Sequence, residues 1–205
     1  MVKGLTVRSL TVLAAAFAVS GLVTMTVGNL GLPLGVLPQT TMPLVDGDLP
    51  NVAIETADGT HLRFAATAGR VRIATMIYSH CPGVCPMTIQ TLQGIEGQLT
   101  AAQRQRLGVV LLSMDPTRDT PRALRSLARE RQIQSPRWIL GRTSESDARA
   151  FASAAHIQYR PLSDGSIDHS TALVLLDARG QVIARTSDAG DSSEFVEAVR
   201  RALQR

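Results

Sequence analysis

An α/β sandwich, with helices on both faces of a central mixed sheet, is the fold class predicted for residues 46–205. Three observations predict it. Strand-type and helix-type segments alternate along the chain. Two apolar runs, 70–78 and 107–114, have the length and composition of buried strands. The chain closes on a hairpin signal followed by one last helix.

The first pair of strands is Val52-Ala-Ile-Glu-Thr and His61-Leu-Arg-Phe, flanking Ala57-Asp58-Gly59-Thr60, whose Asp-Gly step favours a hairpin turn. Arg70 to Tyr78 follows as a buried strand. Pro86 then opens a helix to about Leu99, because proline's missing N–H costs nothing in a first helical turn. Leu107 to Met114 is the next strand. Thr120 caps a helix with Pro121 at its first position; Leu124, Leu127, Ala128 and Ile133 give that helix an apolar face, and it ends near Gln134. Trp138-Ile-Leu is a short strand, and Ser144 or Thr143 caps a helix to Ala155. Thr171 to Asp177 and Gln181 to Arg185 form a hairpin around Ala178-Arg179-Gly180, and a helix from Ser192 to Leu203 closes the domain. This order is that of a thioredoxin-like sandwich, and no internal repeat interrupts it.

Ahead of the domain, no charged residue occurs from Ser9 to Val45, and Leu10 to Leu30 is rich in Leu, Val and Ala. At ~1.5 Å per residue that run spans the ~30 Å of a bilayer's hydrocarbon. We expect a cytoplasmic tail at 1–8, a transmembrane helix at 9–32, a Pro- and Gly-bearing tether at 33–45 and the domain at 46–205. Lys3 and Arg8 precede the apolar run and the first acids, Asp46 and Asp48, follow it, which places the domain outside the cytoplasm. The rival is a cleaved signal peptide, with Ala-Val-Ser-Gly as a small-residue cleavage patch. The short tail has none of the Arg- and Ser-rich character of an organellar transit segment, so the expected address is a bacterial inner membrane, single pass, with the domain facing the periplasm.

Composition narrows the function. All 17 acids and 19 of the 21 basic residues lie beyond Val45, an excess of about two positive charges over a domain large enough to need no staple. That balance excludes a nucleic-acid-binding surface. The basic residues are scattered and read as solvated surface, with no partner implied. Nothing is low-complexity or repeated and aromatic residues are few, which sets an adhesive module aside.

Chemistry concentrates in the only two cysteines, Cys81 and Cys85, in Cys-Pro-Gly-Val-Cys-Pro after the strand at 70–78. Three residues between the sulfurs make a wider loop than Cys-x-x-Cys, so the pair can hold a soft metal ion, a disulfide, or each in turn. Their place between a strand end and a helix start, where free N–H groups favour anions, predicts reactive thiolates with a lowered pKa at Cys85 in particular. A permanent disulfide is the plainer reading, but closing so short a loop adds little to a domain of this size.

His169, in Ile167-Asp168-His169-Ser170-Thr171, lies just before the strand of the last hairpin. In a thioredoxin topology that loop crosses beside the cysteine loop. Two sulfurs and one imidazole suit Cu(I) and, with an added oxygen, Cu(II); zinc takes the same ligands. His61 and His156 read as surface residues. His80 adjoins Cys81 and is expected to tune its thiolate, and Met87, in the first helical turn, offers a thioether but is expected to pack in the core.

Tyr78-Ser-His-Cys-Pro-Gly-Val-Cys-Pro-Met-Thr, Ser113-Met-Asp-Pro-Thr-Arg-Asp-Thr-Pro and Asp168-His169-Ser-Thr together resemble, in order and spacing, the SCO1/SenC family of membrane-anchored copper-binding proteins. The resemblance implies a thioredoxin-like fold and copper, as Cu(I), Cu(II) or both, held by Cys81, Cys85 and His169. It also implies a metallochaperone role, delivery of copper to cytochrome c oxidase subunit II or another cuproprotein, supplied by an upstream periplasmic copper donor or thiol reductant. Asp115 and Asp119 match the family's second motif and, with His80, are expected to support the ligands or dock a partner. A plainer reading makes that motif a strand end and a helix cap. The alternative function is a thiol-disulfide reductase in which Cys81 attacks and Cys85 resolves, keeping the oxidase's cysteines reduced. A peroxiredoxin-like peroxidase fits less well, since two cysteines crowd one loop.

Overall fold

A computed structural model describes residues 47–133, 136–187 and 193–204; the expected tail, transmembrane helix and tether lie outside these residues. Among the described residues no helix is long and apolar enough to cross a membrane.

The chain opens with an antiparallel hairpin, β1 (Ala53–Thr56) and β2 (His61–Arg63), followed by a 3₁₀ turn at Phe64–Thr67. The Asp-Gly turn forms as expected. Gly59 has φ +88°, and Asp58 accepts the Thr60 N–H at 3.1 Å. Then come β3 (Val71–Ile77), α1 (Val84–Gly97), α2 (Ala101–Arg106) and β4 (Leu107–Ser113). After these follow α3 (Pro121–Glu130), β5 (Trp138–Arg142), α4 (Glu145–Ala155) and a hairpin of β6 (Tyr159–Pro161) with β7 (Ile167–His169). A second hairpin, β8 (Leu173–Leu176) with β9 (Val182–Thr186), leads to α5 (Ser193–Gln204).

Seven strands form one mixed sheet in the order β2-β1-β5-β4-β3-β8-β9, and β6 and β7 form a separate two-stranded sheet. Strands β3, β4 and β5 run parallel, while β1 and β8 flank them antiparallel. Every residue of β3 and β4 is buried, so both faces of the sheet's centre are covered, as continuous apolar runs require. Side chains of Thr100, Thr120 and Ser144 cap α2, α3 and α4.

Four expectations need correction. The first helix begins at Val84, which places Cys85 inside its first turn and Pro86 at the third position. The helix at 121 stops at Glu130, where Gln132 takes a left-handed φ of +53° that ends it. Met87 is 64% exposed and packs in no core. His169 ends a strand rather than lying in a loop. Helix α2 and the β6–β7 hairpin add to the expected set.

One glycine is set by packing. A Cβ on Gly141 of β5 would come within 2.3 Å of Ile54 Cγ2 and 3.1 Å of the Glu55 carbonyl oxygen on β1. Ile54 is in the core, so it has nowhere to retreat. Gly141→Ala is expected to destabilise the domain by about 1–3 kcal/mol, read as a lower urea midpoint at unchanged slope; an unchanged midpoint would refute that account of the β1–β5 contact.

Candidate metal centre

Sheet register brings the chemistry together. Ala74 of β3 pairs with Val174 of the antiparallel β8, so the segment leading into β8 lies toward the end of β3 that runs on into the cysteine loop. Thr75 Oγ1, donating to the Ala172 carbonyl at 2.6 Å, holds the crossover in place. Tyr78 adds a second clamp. Its hydroxyl accepts the Ile167 N–H at 3.3 Å and lies 3.4 Å from the Ile167 carbonyl, while its ring meets His169 edge-on at 5.7 Å.

Cys81 Sγ and Cys85 Sγ lie 4.0 and 3.6 Å from His169 Nε2, and the three ligand atoms all fall within 4.8 Å of one another. Metal–sulfur and metal–nitrogen bonds of about 2.3 and 2.0 Å, opened at tetrahedral to trigonal angles, set sulfur–nitrogen separations of roughly 3.5–3.7 Å. The three groups therefore stand near coordinating distance already. His169 Nδ1 is 3.1 Å from the Ser170 carbonyl, which can only accept, so Nδ1 donates there and Nε2 is the ring nitrogen that faces the sulfurs.

The two thiols differ sharply. Gly83, the N-cap residue of α1, has no side chain to cap it, and Cys81 Sγ takes that place by accepting the Cys85 N–H at 3.2 Å. Burial opposes ionisation of Cys81. The His169 imidazole and the N–H groups of Cys85 and Gly83 together outweigh it and bring the thiol down to about 6. Burial dominates at Cys85, which is 1% exposed; its pKa goes up despite the Tyr78 N–H it accepts, and Cys81 and Asp119 push it further. The expectation of a lowered pKa at Cys85 is thus reversed, because the helix places that thiol in the core and leaves the benefit of its N–H groups to Cys81. With the protein reduced, iodoacetamide should label Cys81 with a pH midpoint near 6 and leave Cys85 unlabelled at neutral pH. Equal labelling of both, or a midpoint for Cys81 above 8, would contradict this assignment.

One loop grips both halves of the site. Asp119, fully buried, accepts the N–H and hydroxyl of Ser79 and the hydroxyl of Ser113, tying the cysteine loop to the end of β4. Asp115 pairs with Arg118, whose guanidinium donates to the Gly165 carbonyl at 2.7 Å in the turn between β6 and β7. Asp119 is thus bonded to the residue two before Cys81, and Arg118, paired with Asp115, to a carbonyl four residues before His169. His80 lies against Ser79 Oγ at 2.9 Å and 3.9 Å from Asp119, so it adjoins the anchor rather than the sulfurs. His61 and His156 are exposed, as expected. Tyr78, Ser79, Ser113 and Arg118 were not singled out by sequence reasoning, since their partners lie up to 89 residues away.

A family model described as SCO1/SenC matches residues 53–204. The Saccharomyces cerevisiae protein SCO2, mitochondrial, is 26% identical over 143 residues, covering 66% of this chain and 46% of the yeast protein. The chain spans about half or less of the length of most of the curated relatives it matches. Arabidopsis thaliana ScoI with copper bound superposes with a TM-score of 0.65 at 19% identity, over 76% of this chain and 98% of that one. BsSco, a member of the Sco family of cytochrome c oxidase assembly proteins, gives 0.68 at 19% identity, over 81% and 99%. These likenesses establish the thioredoxin-like fold. With the family model running from the first strand to the last helix and spanning all three ligand residues, the chain belongs to the SCO1/SenC family.

Proposed function

We propose that this chain holds one copper ion between Cys81, Cys85 and His169 and passes it to an apo copper site, first of all that of cytochrome c oxidase subunit II. The single observation that carries the reading is the ready-made triad of two sulfurs and an oriented Nε2. A soft three-ligand set favours Cu(I). Relatives whose structures hold copper, among them the Arabidopsis ScoI, support the choice of metal. Copper is cargo here, exchanged ligand by ligand, and the chain's part is to bind, orient and release it.

The proposal includes the address. A helix at 9–32 and a tether at 33–45 would keep the domain within reach of a membrane-bound client on the periplasmic side of a bacterial inner membrane, where a periplasmic copper donor or thiol reductant supplies it. Protease protection of the 46–205 domain in inside-out but not right-side-out vesicles tests this placement.

A second reading is favoured by one observation, the acidic, half-buried Cys81 beside a buried, protonated Cys85. In a thiol-disulfide reductase the Cys81 thiolate would attack a client disulfide and release one client thiol. Cys85 would then lose its proton and displace the second, leaving a Cys81–Cys85 disulfide for an upstream dithiol to reduce. His169→Ala separates the readings, provided reductase activity is assayed at a pH where iodoacetamide labelling shows the variant's Cys81 to be ionised, since His169 is one of the groups that lower this thiol. Copper delivery predicts loss of transfer to the apo subunit II domain in this variant; full transfer by His169→Ala would overturn it and favour the reductase.

A further inference from the structure

Among the described residues, three large apolar side chains are exposed: Val84 at 42%, Met87 at 64% and Leu162 at 39%. Two of the three adjoin the cysteines. Val84 stands between the two cysteines as the first residue of α1, Met87 follows one turn later, and Leu162 lies in the turn of the hairpin whose last residue is His169. No charged residue occurs from Cys81 to Ile95, and Pro82 is exposed as well. Elsewhere on the described surface the larger apolar side chains are at least partly covered.

We propose that Pro82, Val84 and Met87 form an apolar rim on which a metal-exchanging protein docks, one whose own cysteine and histidine ligands open on an uncharged, apolar surface. The inference rests on the delivery reading above and names how its partner is recognised. Apolar area at a metal mouth marks a contact surface, and the absence of charge from Cys81 to Ile95 argues for recognition by burial on that side of the site, while exposed Arg160 and Asp168 flank His169 on the other. Within the closed contact, bonds from copper to the acceptor's ligands form as those to His169, Cys81 and Cys85 break. The copper keeps its oxidation state, the acceptor's thiols give up their protons, and Cys85 takes one back.

The test uses the full chain in detergent, loaded with one Cu(I), and follows transfer to two acceptors: the reduced apo copper domain of oxidase subunit II and the small chelator bicinchoninate. The variants are Val84→Ser/Met87→Ser and Met87→Leu, all at solvent-facing positions outside the ligand set. The serine pair should slow transfer to the protein acceptor by roughly tenfold or more while leaving transfer to the chelator within about twofold. Met87→Leu, apolar but without sulfur, should match the unsubstituted chain. Transfer to the protein should change by less than about threefold between low and high salt. A serine pair that keeps pace, or that slows transfer to both acceptors alike, overturns the docking rim. Met87→Leu as slow as serine would show that the sulfur acts as a ligand and also overturns it. An unsubstituted chain that transfers to the chelator but not to the subunit II domain overturns the delivery reading and, with it, the named partner.

Discussion

Cys85→Ser is expected to abolish tight copper binding by the reduced protein, with a loss of at least about a thousandfold in affinity. The variant removes one of two soft ligands and puts a hydroxyl in a buried position, where Sγ is 3.6 Å from His169 Nε2. Cys81→Ser should cost as much, since it also removes the sulfur that caps α1. Copper titrations under reducing conditions against a competing chelator measure both. A Cys85→Ser protein that kept its copper within tenfold would show that the buried sulfur is not a ligand. The same site dictates a pH dependence. Cys85 must lose its proton to bind, and its pKa is raised, so copper affinity should climb by up to about tenfold per pH unit through the neutral range. Cys81, already ionised at pH 7, contributes to that slope only below about 6.

Asp119→Asn carries the second large effect. The carboxylate accepts two bonds from Ser79 and one from Ser113 in a fully buried pocket, and an amide there would turn N–H against donors. We expect a loss of about 2–3 kcal/mol in stability and a 10–100-fold drop in copper affinity as the cysteine loop loses its anchor. Asp115→Asn should act more weakly, because Arg118 is exposed on one side and holds the hairpin by a single bond to Gly165. Denaturant melts of the apo protein paired with copper titrations separate the two effects. If Asp119→Asn loses stability but holds copper as tightly as the unsubstituted chain, the carboxylate stabilises the fold without positioning the site.

Much of the fold was legible because β3 and β4 are long runs, apolar but for Arg72, Thr75 and Ser113, and the caps at Thr120 and Ser144 precede clear helices. What escaped lacked periodicity. Helix α2 buries none of its six residues, so no apolar face announces it, although Thr100 and Gln103 form a capping box that could have. The β6–β7 hairpin is three residues a side with Pro161 in one strand, too short for alternation to show. At the site, Cys81, Cys85 and His169 could be picked out by residue chemistry and resemblance. Their meeting followed from the expected topology, while the distances between them come only from the folded chain. The acidity of the thiols was assigned to the wrong cysteine for a related reason. A helix N-terminus is visible in sequence, but which sulfur is buried beneath it is not. Asp119 was picked out by motif alone; its partner Ser79, 40 residues earlier, shows what it does.

The most direct test of the copper account is the stoichiometry and affinity of copper on the reduced protein, measured against zinc as competitor. The account predicts one Cu(I) per chain, bound in preference to zinc and lost in Cys81→Ser, Cys85→Ser and His169→Ala alike. A protein that takes up no stoichiometric copper, prefers zinc, or binds copper indifferently to His169 would contradict it.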